Sequence, residues 1–135
     1  MKKEGNGEKI AIIGASTDRA KYGNRALRGF DMAGYDVLPV NPNYDEIEGI
    51  KTYPDLESLP DKPDIISVYT PPKVTLKLVS QIAEVGAKEI YFNPGSADDE
   101  VKEKARESGL DVLYGCSSAP GRSSRKRPTN RANSP

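Results

Sequence analysis

The stretch Lys9–Ser16 reads KIAIIGAS, and it is the first indication of the fold. Its apolar run ends at Gly14. Such a run is typical of a short strand that is buried on both faces of a parallel sheet. After a polar loop, apolar residues recur at helical spacing over residues 23–33, and Gly34 suits the end of that helix. A second apolar run, Val37–Val40, follows. This order predicts a strand, a helix and a second strand.

The alternation of strands and helices continues along the chain. A turn with a short extended piece is predicted over residues 45–54, and one helical turn over Leu56–Leu59. Ser96 is predicted to cap the last helix, whose first turn is acidic. Further strands are predicted over residues 64–69, 88–92 and 110–114, and further helices over residues 73–85 and 97–107. The order predicts an α/β protein with a Rossmann-like, doubly wound, mainly parallel sheet and helices on both faces.

Length and charge predict one domain with two different ends. The 135 residues favour a single folded unit over residues 9–116, with a flexible N-terminus over 1–8 and a disordered basic tail over 117–135. All 20 acidic residues precede the tail, so the folded part is acidic and is not expected to bind nucleic acid. The tail's cations leave two alternatives open, a solvated segment or one that binds nucleic acid or an acidic partner.

The scarcity of cysteine and histidine excludes several kinds of site. With one cysteine and no histidine, the chain has no internal disulfide, and we expect no metal site. Cys116 is interpreted either as a small buried residue or as a thiol that forms a mixed disulfide with a thiol ligand. The polar N-terminus and the lack of long apolar stretches predict a cytoplasmic protein without a membrane span.

Ligands of open parallel sheets bind beyond the carboxyl ends of the strands, where the strand order reverses. The first loop at that edge, Gly14-Ala15-Ser16, combines a glycine with a hydroxyl and leads to a helix, so it predicts a phosphate site. Arg19, Lys21 and Arg25 supply positive charge nearby. The other loops at this edge contain prolines and form rigid walls: Val40-Asn41-Pro42, Thr70-Pro71-Pro72 and Asn93-Pro94-Gly95.

The phosphate ligand is not predicted to be a nicotinamide cofactor or a Walker-type nucleotide. After Gly14 the sequence lacks the second and third glycines of the G-x-G-x-x-G fingerprint. Asn41 stands where such domains place the acid that holds a ribose. The P-loop pattern is also absent. An apolar wall at Val40 and Pro42 suits an adenine ring or an aliphatic arm instead.

Several motifs together resemble those of a known family. The chain is similar to the small single-domain CoA-binding proteins, and to the CoA-binding domain of the succinyl-CoA synthetase alpha subunit. The resemblance covers about residues 9–116, and its motifs are Gly14-Ala15-Ser16, Lys21-Tyr22-Gly23-Asn24, Gly34-Tyr35-Asp36-Val37-Leu38-Pro39-Val40-Asn41-Pro42, Ile47-Glu48-Gly49-Ile50-Lys51-Thr52-Tyr53, Asp64, Thr70-Pro71-Pro72, Asn93-Pro94-Gly95 and Cys116.

The resemblance implies coenzyme A, or an acyl-CoA, as the ligand. The first loop would cradle the diphosphate, the second would flank the adenosine, and the third would border the pantetheine arm. Many relatives carry lysine after Asn-Pro, where this chain has Asn43. The residues implied as cofactor-binding are Gly14, Ala15, Ser16, Arg19, Lys21, Asn24, Val40, Asn41, Pro42, Thr70, Pro71, Pro72, Asn93, Pro94 and Gly95.

No catalytic residue is predicted. The resemblance includes neither the second domain nor the phosphorylated histidine of the synthetase, and the chain has no histidine. No nucleophile–base pair is evident either. We expect a stand-alone CoA-binding protein without its own catalytic machinery, with a sensory or carrier role. The alternative is a nucleotide-binding component of an acyl-CoA or NAD(P)-dependent enzyme system that acts with a separate partner.

Overall fold

The computed structural model of the chain describes residues 7–115. Residues 1–6, Cys116 and the predicted basic tail lie outside the described residues. A single 3-10 turn spans Leu56–Ser58. The strands are β1 (Lys9–Ile13), β2 (Asp36–Val40), β3 (Glu46–Ile47), β4 (Ile50–Lys51), β5 (Ile65–Val68), β6 (Glu89–Phe92) and β7 (Val112–Tyr114), and the helices are α1 (Tyr22–Met32), α2 (Pro72–Val85) and α3 (Asp99–Glu107).

The main sheet contains five parallel strands in the order β2-β1-β5-β6-β7. Counted along the chain, this is the doubly wound order 2-1-3-4-5. β2 lies on one side of β1, and β5 lies on the other side, so the strand order reverses between β1 and β5. The predicted Rossmann-like α/β fold with a mainly parallel sheet is confirmed.

Apolar side chains cover both faces of the sheet. On β1, Ile10 and Ile12 belong to the cluster that α1 covers, whereas Ala11 and Ile13 belong to the cluster that α2 and α3 cover. This alternation follows from the strand period of two, which points successive side chains to opposite faces. The continuous apolar run that predicted β1 therefore reflects burial on both faces. Among residues 7–115, no helix is both long and apolar enough to cross a membrane.

The predicted turn and extended piece after β2 form an antiparallel hairpin of β3 and β4. Glu48 and Gly49 occupy its turn with positive φ angles of 52° and 79°. Beyond the hairpin, the N–H of Tyr53 donates to the carbonyl of Pro39 at 2.9 Å, and the N–H of Asn41 donates to the carbonyl of Tyr53 at 2.8 Å. The segment thus covers the outer edge of β2, a position in a sheet that tolerates a proline.

The predicted cap of the last helix is wrong. Asp98 is the N-cap of α3, and its Oδ1 accepts the N–H of Val101 at 3.0 Å. Ser96 instead donates its hydroxyl to the carbonyl of Asn93 at 2.7 Å and is buried in the preceding turn. Both residue types suit an N-cap, so the choice depends on where the turn after β6 ends.

We expect Asp98→Ala to lower the free energy of unfolding by about 1 kcal/mol, because the first turn of α3 loses its capping acceptor. Asp98→Asn keeps a capping oxygen and should lose less than half as much. Urea denaturation of the three proteins measures both changes. Equal losses for the two variants would show that the carboxylate charge stabilises α3 and that the capping hydrogen bond does not.

Candidate functional site

The carboxyl ends of β1 and β5 meet at Gly14 and Thr70, where the strand order reverses. Gly14 has a φ of +88°, and a Cβ atom at this position would lie 3.0 Å from both the backbone nitrogen and Cγ2 of Thr70. Gly23, in the first turn of α1, is as tightly placed, since its Cβ would lie 2.8 Å from the carbonyl oxygen of Gly14. The two glycines therefore let strand, loop and helix start converge on one point.

Two asparagine side chains hold the first loop by donating hydrogen bonds to its carbonyls. The Nδ2 of Asn41 donates to the carbonyl of Ala15 at 2.8 Å, and the Nδ2 of Asn24 donates to the carbonyl of Ser16 at 2.8 Å. In a trans peptide the N–H points opposite to the C=O of the same unit. Fixing these two carbonyls consequently directs the N–H of Ser16 away from Asn41 and the N–H of Thr17 away from Asn24.

Asn24 is fully buried within a wider polar network. Its Nδ2 also contacts Oε2 of Glu48 at 3.0 Å, and its Oδ1 accepts from Nε of Arg28 at 2.7 Å. Glu48 stands at the tip of the β3–β4 hairpin, so the network joins that hairpin to α1 and to the first loop. Its partners explain how an amide can be buried here without an unfavourable desolvation cost.

The start of α1 has the features that favour an anion. The cap position, Lys21, makes no side-chain capping hydrogen bond, and the first turn contains no acidic residue. The first N–H groups of a helix generally lack backbone partners, although here the N–H of Asn24 donates to the carbonyl of Lys21 at 3.1 Å, and the helix dipole adds positive charge there. Because Gly23 packs on Gly14, this helix start lies directly beside the first loop.

The three predicted cations have different surroundings. Arg19 forms an ion pair with Glu48, with 3.4 Å between Nε and Oε2. Arg25 stacks over the ring of Tyr22 at 5.5 Å from the centroid, and Lys21 is exposed near Tyr44. Hydrogen bonds with the Thr17 and Ser16 hydroxyls, together with the Lys21 charge, lower the pKa of the Tyr44 phenol. Tyr44 therefore lies over the first loop, a position that its sequence context did not indicate.

A cavity at this edge, here called the first cavity, has a volume of about 310 Å³. It lies beyond the ends of β1, β2 and β5 and beside α2. Its lining includes the predicted Val40, Asn41, Pro42 and Thr70. Asn41 lines this cavity, while its side-chain amide donates to the carbonyl of Ala15. The other lining residues are Ile13, Gly14, Asn43, Pro54, Asp55, Leu56, Val74 and Leu78.

Sequence reasoning missed the part of this lining that comes from the 3-10 turn and α2. Asp55 precedes the 3-10 turn, and Leu56 begins it. A helical turn with an acid just before it was visible in the sequence, but nothing local placed it beside the end of β2. Among the predicted prolines, Pro71 and Pro72 form the start of α2 and are not among the residues that line the cavity.

The smaller, second cavity of about 220 Å³ is lined by Tyr22, Tyr69, Asn93 and Pro94. Asn93 is buried, and its Nδ2 donates to Oγ of Ser67 and to the carbonyl of Val68, both at 2.9 Å. Gly95 is exposed beside it with a φ of +90°. The described residues contain no cluster of three acidic or sulfur ligands that could hold a metal ion.

Comparisons with known proteins agree on one family. A family model described as a CoA binding domain matches residues 8–123. A conserved hypothetical protein from Pyrococcus furiosus has a similar structure, with a TM-score of 0.74, 42% identity and coverage of 81% of this chain and 94% of that one. A hypothetical protein from Pyrococcus horikoshii OT3 has a TM-score of 0.76, 34% identity and coverage of 86% and 82%.

A relative with a named activity is much longer than this chain. The acetate–CoA ligase (ADP-forming) of Methanocaldococcus jannaschii is 32% identical over 79 residues, which are 58% of this chain and 11% of the ligase. The sequence is thus related to a domain of acyl-CoA ligases. The similarity covers only a small part of that enzyme.

We expect Gly14→Ala to destabilise the fold more than Gly95→Ala does. The two glycines have nearly the same φ, so the backbone strain of a side chain, roughly 1–2 kcal/mol, should be similar. Only the Gly14 Cβ would also meet the backbone of Thr70, whereas the Gly95 Cβ would meet nothing within 4 Å. The difference in unfolding free energy should be at least about 1 kcal/mol. Equal losses of unfolding free energy in urea denaturation would show that the Thr70 segment moves aside at no free-energy cost.

Proposed function

Because this chain belongs to the family of CoA-binding domains, we propose that it binds coenzyme A, free or acylated, as a stand-alone module without catalytic machinery of its own. A sensory or carrier role fits such a module. The observation that carries the proposal is the position of the first loop. It lies at the reversal of strand order and beside the start of α1, and each cavity is lined by residues next to it.

The first cavity is the proposed place of the adenosine end. Val40, Pro42 and Leu56 contribute apolar surface there, and about 310 Å³ is within the range of volumes that small-ligand sites occupy. Gly14 and Thr70 line the same cavity, so a ligand that starts in it can continue along the first loop.

The diphosphate is proposed to contact Gly14, Ala15 and Ser16. The two asparagines turn the loop carbonyls away, so the opposite N–H groups can donate to phosphate oxygens. The start of α1 supplies further N–H groups and a positive dipole end. Lys21 and Arg25 are the cations that we assign to the phosphates.

The pantetheine arm is proposed to pass Thr70-Pro71-Pro72 and to approach Asn93-Pro94-Gly95. The second cavity lies at that end, and Tyr22 and Tyr69 are among its lining residues. Prolines suit such a channel because they fix the backbone and present few donors. The arm's thiol or thioester would then lie near the end of β6.

Three of the predicted ligand residues receive a positioning role in this proposal. The amides of Asn24 and Asn41 contact loop carbonyls, and the guanidinium of Arg19 contacts Glu48. These side chains would act on the ligand by holding the first loop in the shape that presents its N–H groups. Such preorganisation lowers the ordering cost of binding.

A second candidate function is supported by the similarity to an acyl-CoA ligase. In this alternative the chain is the nucleotide-binding component of an enzyme system and acts with a separate partner. If the purified chain alone forms ATP from acetyl-CoA, ADP and phosphate, then both a module without catalytic machinery and a component that needs a partner are rejected.

We expect coenzyme A and acetyl-CoA to bind with micromolar dissociation constants, about −8 kcal/mol. The measurement is calorimetric titration of the full chain with these ligands and with NAD⁺, NADP⁺ and ATP. The last three should bind more weakly, because the loop lacks the glycines of the dinucleotide and P-loop patterns. Tighter binding of NAD⁺ or NADP⁺ would reject the proposal.

Ser16→Ala should weaken CoA binding roughly two- to tenfold, the effect of losing one hydroxyl hydrogen bond. Ser108→Ala is the matched control, since Ser108 is exposed at the end of α3 and lines neither cavity. The same titration compares the two variants. Unchanged affinity in Ser16→Ala would show that the Ser16 hydroxyl does not contact the ligand.

A further inference from the structure

The first cavity contains a carboxylate that the end of β2 lacks. Asp55 lines the cavity together with Asn41 and Asn43, although it follows β2 by fifteen residues. Its Oδ1 accepts hydrogen bonds from the N–H of Ser58 at 2.9 Å and from the Ser58 hydroxyl at 2.7 Å. These bonds fix the carboxyl group and both go to the same oxygen, so Oδ2 can accept from a ligand.

The lining of the first cavity carries no positive charge among the residues that the structure describes. It contains neither lysine nor arginine, and Asp55 is its one ionisable group. Two cations on neighbouring segments have other contacts: Lys51 lies over the ring of Tyr53, 5.6 Å from its centroid, and Arg19 pairs with Glu48. A phosphate dianion in this cavity would therefore meet a carboxylate and no cation among the described lining residues.

We propose that the first cavity selects an adenosine whose ribose hydroxyls are free, and that Asp55 accepts a hydrogen bond from one of them. This rests on the proposed function. It adds an order of preference: among ADP–pantetheine compounds, those without the 3′-phosphate of CoA, of which 3′-dephospho-CoA is the simplest, should bind more tightly than CoA itself. The same chemistry distinguishes NAD from NADP in dinucleotide-binding domains, where an acid holds a free ribose hydroxyl and an arginine accommodates a ribose phosphate.

The acid comes from a different segment than in a dinucleotide-binding domain. In those domains it ends the second strand, where this chain has Asn41 with its amide turned to Ala15. Here Asp55, the residue that caps the 3-10 turn, lines the same cavity as Asn41. The carboxylate of Asp55 thus gives the cavity an acceptor for a ribose hydroxyl, which the end of β2 does not supply.

Capping of the 3-10 turn is the competing explanation for Asp55. That role requires an oxygen that accepts from Ser58, and asparagine provides one as well as aspartate does. Asp55→Asn therefore keeps the cap and removes the charge. If capping were the whole role, this substitution would change the affinities for phosphorylated and unphosphorylated ligands by the same factor.

The experiment is calorimetric titration of the full chain with CoA and with 3′-dephospho-CoA. We expect dephospho-CoA to bind about tenfold more tightly, as a carboxylate and a phosphate dianion several ångströms apart would produce. In Asp55→Asn the preference for dephospho-CoA over CoA, measured as the ratio of the two dissociation constants, should fall by a similar factor. Asn43→Lys, at an exposed lining position, should shift it in the same direction by strengthening CoA binding.

Asp98→Asn is the matched control. It makes the same change at another capping aspartate, which lines neither cavity, and it should leave the ratio unchanged. Equal affinities in the wild-type protein, or tighter binding of CoA, would overturn the proposal. An unchanged ratio in Asp55→Asn would overturn the role of Asp55. If neither compound binds, the proposed function itself is rejected, and this inference with it.

Discussion

The close approach of Gly14 to the backbone of Thr70 is the constraint on which the candidate site depends. It joins the ends of β1 and β5 at the reversal of strand order, and a Cβ at Gly14 would lie only 3.0 Å from the backbone nitrogen of Thr70. Gly23 brings the start of α1 to the same point. With these backbones in contact, the first loop must project at the edge of the sheet, where its N–H groups can meet a ligand.

Side-chain amides then determine the shape of that loop. Asn24 and Asn41 each donate to a loop carbonyl at 2.8 Å, and Glu48 connects Asn24 to the hairpin beyond β2. The network explains why a segment far from the loop along the chain can influence it. Asn24 and Asn41, which resemble ligand contacts in the sequence, therefore contact the protein's own backbone in the structure.

The alternation of elements was predictable because local patterns reflect burial. Strands buried on both faces give apolar runs, and helices with one buried face give a period of 3.6, so β1, α1 and α2 follow from the sequence. The cap of α3 was not predictable by the same means. Ser96 and Asp98 are both good capping residues, and only the path of the turn after β6 assigns one to the helix.

The sequence by itself determined the class of fold and the loops at its carboxyl edge, because hydrophobic period and glycine position are local properties. The tertiary structure alone decided which side chains share a cavity. Asp55 and Asn41 are fourteen positions apart and meet because the covering segment folds over the edge of β2. Contacts of this kind depend on packing between separate segments, which no local pattern encodes.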